Sequence, residues 1–335
     1  MLFDPLDVVG IGNAIVDVIA SADDAFLSEH GMRKGTMALI DEPQAETIYA
    51  AMGAAVVTSG GSAGNTVAGI ASFGGRTGFI GKVRDDALGR EFRHDITAVG
   101  AHFPTPAANG GPATARCLVL VTPDSQRTLN TFLGAAASLG PDDVDAAMIR
   151  AAAITYLEGY LYDAPSAQRA FHIAAEIAHG AGRKVALSLS DPFCVVRHRV
   201  EFLHLIDHHV DVLFGNRAEI AELFETDRLE TAIARLRSLT EIVAITSGPD
   251  GSTIVTQDDV IDVATERAGG VVDTTGAGDL YAAGVLFGLT HGLPLRECGR
   301  LGSFAAAEVI SHFGARPQTN LRALAAKRGH LLGSE

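Results

Sequence analysis

Ala167-Gln168-Arg169-Ala170-Phe171-His172-Ile173-Ala174, followed after a short break by Val185-Ala186-Leu187, sets the architecture of this 335-residue chain. Ala167, Ala170, Phe171 and Ala174 stand three and four apart, so they share one face of a helix, whereas the second run has no polar alternation and reads as a strand buried on both faces. The same pairing returns downstream, where Val210 to Phe214 and Ile242-Val243-Ala244-Ile245 read as further buried strands between helices. Upstream, Asp7 to Gly12 reads as the opening strand and Thr77-Gly78-Phe79-Ile80 as another. The helix between them starts near Ser62 and stops at Gly74-Gly75. Helices alternating with short apolar runs predict an α/β fold with a doubly wound, mainly parallel sheet flanked by helices.

Two segments break the rhythm, at about residues 14–45 and 103–134. Within the second, Ala113 to Val121 and Gln126 to Leu133 read as paired strands joined by Thr122-Pro123-Asp124-Ser125. Together the segments read as one small β-sheet lid over the mouth of the main sheet, on a single α/β domain spanning residues 1–335. Surface hairpins without function are the alternative.

The chain is 47% hydrophobic and 20% charged, with 37 glycines, the profile of a packed and turn-rich protein. A formal net charge of -14 and a pI near 5.2 oppose general binding to nucleic acid or to an anionic membrane. Cys117, Cys194 and Cys298 lie far apart and form no C-x-x-C pair, so neither a zinc site nor a disulfide framework is indicated. The N-terminal Met1 to Asp7 lacks the basic region of a signal peptide, and no apolar stretch is long enough to span a bilayer. A soluble, cytoplasmic protein is expected.

The strongest local signal is Val271-Val272-Asp273-Thr274-Thr275-Gly276-Ala277-Gly278-Asp279-Leu280, which leads into a helix with Leu280, Ala283, Gly284 and Phe287 on one face. The first N–H groups of a helix are unpaired and carry partial positive charge, and glycines let a phosphate approach them closely. A carboxylate beside a phosphate site is repulsive unless it takes a proton from an attacking hydroxyl, the role of a kinase base, which makes Asp279 a catalytic candidate. Simple complementation of the helix dipole is the structural alternative.

Gly60-Gly61-Ser62-Ala63-Gly64-Asn65 is a second glycine turn entering a helix. Asn65 offers donor and acceptor groups suited to sugar hydroxyls, and Gly60 and Gly61 allow a ligand to reach the backbone. The same residues satisfy G-x-S-x-G, the nucleophile elbow of a hydrolase with Ser62 as nucleophile, a reading that leaves residues 271–279 unexplained. Gly81-Lys82 lacks the remainder of a P-loop, and Gly10-Ile11-Gly12 reaches Ile15 where a dinucleotide fingerprint needs glycine. Asn216-Arg217-Ala218-Glu219 and the turn Thr246-Ser247-Gly248-Pro249-Asp250-Gly251 each follow a strand. Asn216 as an N-cap with Glu219 as its capping-box partner explains the first without any function.

In order and spacing over essentially the whole chain, these motifs resemble the ribokinase-like, or PfkB, family of carbohydrate and nucleoside kinases. The resemblance implies a ribokinase-like fold with ATP as cosubstrate and Mg²⁺ as cofactor. It implies that Asp279 deprotonates the acceptor hydroxyl while the N–H groups of Gly276, Ala277 and Gly278 stabilise the transferring phosphoryl group. It assigns Asp17, Gly61 and Asn65 to acceptor hydroxyls, Glu219 and Asn216 to Mg²⁺ and its waters, and Thr246, Gly248 and Gly251 to the ATP site. Asp273 and Thr275 match positions that bind an activating potassium ion in some members.

Within the family, Gly12 to Asp17, Arg127 to Gly134 and Tyr156 to Leu161 look most like bacterial adenosine-kinase-like members. Tyr160 matches an aromatic residue that stacks on the base, against the plain alternative of a core tyrosine. Glu158 departs from the adenosine pattern and keeps ribose, a ketohexose or a sugar acid open as acceptor. Arg127 and Arg116 in the expected lid are candidates to contact phosphates on closure, against the plain alternative of solvated strand arginines. An inactive nucleotide- or sugar-binding regulator is a third reading, opposed by the retained Asp279. Lid strands pair between subunits in some relatives, so monomer and homodimer both stay open.

Overall fold

The computed structural model describes residues 4–333 except Ser125, Ala268 and Leu331; Met1 to Phe3 and the last residue of the Thr122–Ser125 turn therefore lie outside the described residues. The strands in chain order are β1 (Leu6–Ile11), β2 (Ile15–Ser21), β3 (Met37–Leu39), β4 (Ala55–Ser59), β5 (Thr77–Ile80), β6 (Ala115–Val121), β7 (Arg127–Phe132), β8 (Ala152–Glu158), β9 (Lys184–Ser188), β10 (Val212–Asn216), β11 (Ile242–Thr246), β12 (Ser252–Val255) and β13 (Val260–Val263).

The main sheet runs β13-β12-β11-β10-β9-β8-β1-β5. Pairing is parallel from β5 through β11 and antiparallel at the β12–β13 edge. Strand β10 begins at Val212, two residues after the expected Val210: the Val185 N–H donates to the side chain of Asp211, and the ladder with β9 starts at Val212 opposite Ala186. Helices cover both faces, as the continuous apolar strands require. Ala167, Ala170, Phe171 and Ala174 all pack against one face of the sheet. On the other face the helix Ala277–Thr290 is buried all round from Leu280 to Gly288, not on one stripe, since the helices Ser62–Ser72 and Leu295–Val309 flank it.

The second sheet runs β3-β7-β6-β2-β4. Its edge strand β4 lies outside both segments singled out in the sequence: Ala55 to Val57 are exposed edge residues, so the core pattern that marks a strand is missing there. One face packs on the helix Glu42–Ala51 through Val18, Leu118, Ile48 and Phe132. The opposite face carries Ile15, Asp17 and Ile19 from β2, Cys117 and Val119 from β6, and Arg127, Leu129 and Thr131 from β7, all lining one cavity. The period of two that places these side chains is that of a strand.

Candidate active site

The cavity has a volume of about 710 Å³ and lies between that face and the C-terminal ends of the parallel strands, where Asn13, Glu158, Ser188, Asn216 and Thr246 project. Open parallel sheets bind ligands at this edge because helix N-termini and strand-end loops converge there.

The glycine turn at 276–278 forms one end of it. Gly276 is the N-cap of the Ala277–Thr290 helix at φ 79, a left-handed conformation that supplies no side-chain cap and leaves the first turn open to the cavity. Ala277 N–H makes a long bond of 3.2 Å to Thr274 O. Asp279 follows, half-buried in the wall. Its Oδ1 accepts from Ser62 Oγ at 2.6 Å and its Oδ2 from Asn65 Nδ2 at 2.9 Å. Burial raises its carboxyl above the usual range, and the two donors work against that rise by favouring the charged form. Arg316 Nε reaches Asn65 Oδ1 at 3.4 Å, which turns the amide so that its NH₂ faces Asp279.

Asp17, in mid-β2, faces the same space. Burial pushes its carboxyl up to about 7, with Arg316 and Arg127 pulling it down and Asp279 and Asp273 adding to the rise. Gly60 does not line the cavity; a methyl group built there would collide with Asp17 Oδ2, so its contribution is room for that carboxylate. Gly61 does line it.

Glu158 is committed to the fold. Its Oε1 accepts from Asn13 Nδ2 at 2.6 Å and its Oε2 from Ala63 N–H at 2.8 Å, so it caps the Ser62–Ser72 helix whose own N-cap, Gly61, has no side chain. Burial still lifts it to about 7. Tyr160 is half-buried in the wall, its N–H donating to Ser190 Oγ at 3.1 Å and its hydroxyl pushed upward by burial.

Asn216 and Glu219 form the capping box: Glu219 N–H donates to Asn216 Oδ1 at 2.9 Å, and Asn216 N–H to Glu219 Oε2 at 2.9 Å. Both also line the cavity, and Glu219 rises to about 7 through burial, with Asp191 adding to the rise. Capping and a role in the site are therefore compatible. Thr246 lines the cavity at the end of β11, whereas Gly248 and Gly251 belong to the tight turn behind it and not to the wall.

Asp273 and Thr275 do not offer free side-chain oxygens to a cation. Asp273 Oδ1 accepts from Thr275 N–H at 3.1 Å and Thr275 Oγ1 at 2.7 Å, while Oδ2 accepts from Gly314 N–H at 3.1 Å and pairs with Arg127 Nη2 at 2.7 Å. Arg127 Nη1 also donates to Thr275 Oγ1 at 2.9 Å. A guanidinium occupies the corner where the resemblance implies potassium. Arg116, unlike Arg127, is turned from the cavity, pairing with Glu46 at 2.5 Å and lying over the Tyr49 ring.

Ser62 acts as a donor to Asp279, and no histidine is among the residues lining the cavity, so the hydrolase elbow finds no base. Sequence reasoning gave Asn13 and Ser62 no such part, although both sit inside quoted glycine motifs. Arg316 carried no signal.

The family comparison agrees with this geometry. The profile of the pfkB family carbohydrate kinases matches residues 36–321. The chain belongs to the pfkB family. Among solved structures, an adenosine kinase from Sinorhizobium meliloti is 49% identical, with a TM-score of 0.91, over 97% of this chain and 100% of that one. A probable sugar kinase from Rhizobium etli CFN 42 is 45% identical, with a TM-score of 0.92, over 98% and 100%. A 5-dehydro-2-deoxygluconokinase from Geobacillus kaustophilus is 28% identical over 92% of this chain and 88% of its own. As a pfkB kinase the chain is a phosphotransferase with an alcohol group as acceptor, and kinases of this family use ATP as cosubstrate. Among the described residues no helix is long and apolar enough to cross a membrane.

Proposed function

We propose that this pfkB kinase transfers the γ-phosphoryl group of ATP to the primary hydroxyl of a nucleoside, adenosine first, giving AMP and ADP. The observation that carries the reading is Asp279: a carboxylate held by Ser62 and Asn65 at the mouth of an uncapped glycine turn, in one cavity with Asp17. Asp279 takes the proton of the acceptor hydroxyl as the new O–P bond forms and the bond to the ADP leaving oxygen breaks. The N–H groups of Gly276, Ala277 and Gly278 hold the charge on the phosphoryl oxygens. Asp17 and Asn65 take the ribose hydroxyls, whose donors favour the charged form of Asp17.

A nucleoside is favoured because the small sheet gives the cavity a largely apolar patch, Ile15, Ile19, Cys117, Val119 and Leu129, extended by Leu133 just after β7, which suits a purine better than a polyhydroxylated chain. Tyr160, on the cavity wall, stacks on the base in this reading, and closure of the small sheet as a lid excludes water from the transfer. The resemblance to the Sinorhizobium adenosine kinase points the same way. Glu219 and Asn216 fit a hydrated Mg²⁺, because Glu219 is a buried carboxylate on the cavity wall with no cation partner among the described residues; the ion supplies charge compensation at the phosphates.

The test is AMP formation from adenosine and Mg-ATP by the purified protein, followed by chromatography, with Asp279→Asn alongside. Failure with adenosine but turnover of ribose, a ketohexose or a sugar acid would transfer the assignment to a sugar kinase, the reading consistent with the Rhizobium and Geobacillus relatives.

A further inference from the structure

We infer that Arg127 serves as a built-in cation at the Asp273–Thr275 corner, so that this kinase works without an activating monovalent ion. The inference rests on phosphoryl transfer at the 276–278 turn but not on adenosine as acceptor.

A potassium ion needs several oxygen ligands at once, and a carboxylate has about four lone-pair directions to give. At Asp273 three are met by hydrogen bonds from Thr275 N–H, Thr275 Oγ1 and Gly314 N–H, and Arg127 Nη2 stands 2.7 Å from Oδ2 as an ion pair without hydrogen-bond geometry. Thr275 Oγ1 donates to Asp273 and accepts from Arg127 Nη1 at 2.9 Å, so it too is committed. Entry of an ion would require the guanidinium to leave, and while it stays its own charge repels one. The Arg127 and Asp273 side chains are 15% and 4% exposed, so bulk salt screens the pair weakly. Phe313 packs on the guanidinium at 5.9 Å from its ring centroid and helps to hold it.

The arginine does at this corner what a bound cation would do. It neutralises the carboxylate three residues before Gly276, and it fixes Thr275, the residue directly before that glycine. A guanidinium stays protonated throughout the working pH range, so the compensation is permanent. It also comes from β7 of the small sheet, whereas Asp273 precedes a helix of the main domain, so the charge is present only while the two parts are together.

The test uses the full-length protein exchanged into tetramethylammonium chloride, with KCl and NaCl at equal ionic strength as comparisons. Turnover with Mg-ATP and thermal melting without substrate are both read. Wild type is expected to keep its rate within about twofold, and its melting temperature within about 1 °C, across the three salts. Arg127→Ala opens the corner, and potassium is expected to raise its melting temperature by about 2 °C or more relative to tetramethylammonium and to restore part of any lost rate. Arg127→Lys keeps a charge there and is expected to stay indifferent to potassium. Several-fold activation or clear stabilisation of wild type by potassium overturns the inference, as does an Arg127→Ala protein that folds and shows no potassium response in melting. Absence of turnover with every acceptor counts against the functional reading, and the melting comparison still decides the cation question.

Discussion

Asn65 donates through Nδ2 to Asp279 Oδ2 at 2.9 Å, joining the two glycine motifs of the chain across 214 positions of sequence. One of them supplies the proposed base and the other tunes it.

Removing the base while keeping its shape is the first consequence. Asp279→Asn is expected to lower kcat by about 10²–10⁴-fold, the usual contribution of general base catalysis, while the affinity for nucleotide holds or rises as a negative charge leaves the phosphate end. Single-turnover phosphoryl transfer and nucleotide binding by calorimetry check the two halves separately.

Asn65→Ala removes a donor that favours the charged carboxylate, so the Asp279 carboxyl should rise further. A base must be ionised to act, and the acidic limb of the pH–kcat profile is therefore expected to move to higher pH, with the loss of rate greatest at low pH. A profile that falls uniformly at every pH would assign Asn65 to acceptor binding alone.

Gly60→Ala places a methyl group against Asp17 Oδ2. The carboxylate must turn away from the acceptor, and the expected result is a rise of about tenfold in KM for the acceptor, which is about 1.4 kcal/mol, with KM for ATP unchanged. Steady-state kinetics with each substrate varied in turn distinguish this from general damage to the fold.

Glu219 gives a prediction of stability against pH. Its carboxyl titrates near 4.5 when unfolded and near 7 when folded, so between those values the folded state holds more protons and stability falls as pH rises. Glu219→Gln keeps one side-chain carbonyl to accept the Asn216 N–H, loses the acceptor for Asn216 Nδ2 at 2.6 Å, and cannot ionise. The variant should match wild type near pH 5 and exceed it by on the order of 1–3 kcal/mol at pH 8 in the absence of divalent ions. Added Mg²⁺ and nucleotide should narrow the gap, because they give the wild-type carboxylate its counter-charge. Melting curves at both pH values, with and without Mg-ATP, read all of this.

The sequence by itself determined the main sheet, because strands buried on both faces must be written as continuous apolar runs, and Val185 to Leu187 or Ile242 to Ile245 cannot be solvated. It also marked Asp279, Asn65 and the 276–278 turn, since an uncapped glycine helix start has few other uses. The exposed edge strand Ala55–Ser59 left no such mark. Tertiary structure alone decided what each polar group was spent on. Glu158 resembles a ligand for sugar hydroxyls in the sequence, yet its two oxygens are taken by Asn13 and Ala63 N–H, from chain segments about 145 and 95 residues away. Asp273 and Thr275 resemble cation ligands, but the side chain that fills their corner, Arg127, stands 146 and 148 positions earlier (273 − 127 and 275 − 127) on another sheet. Local sequence sets helix starts and strand periods because those depend on neighbours a few residues away. Whether a carboxylate binds a ligand, caps a helix or pairs with an arginine depends on which distant segment the fold brings within about 3 Å of it.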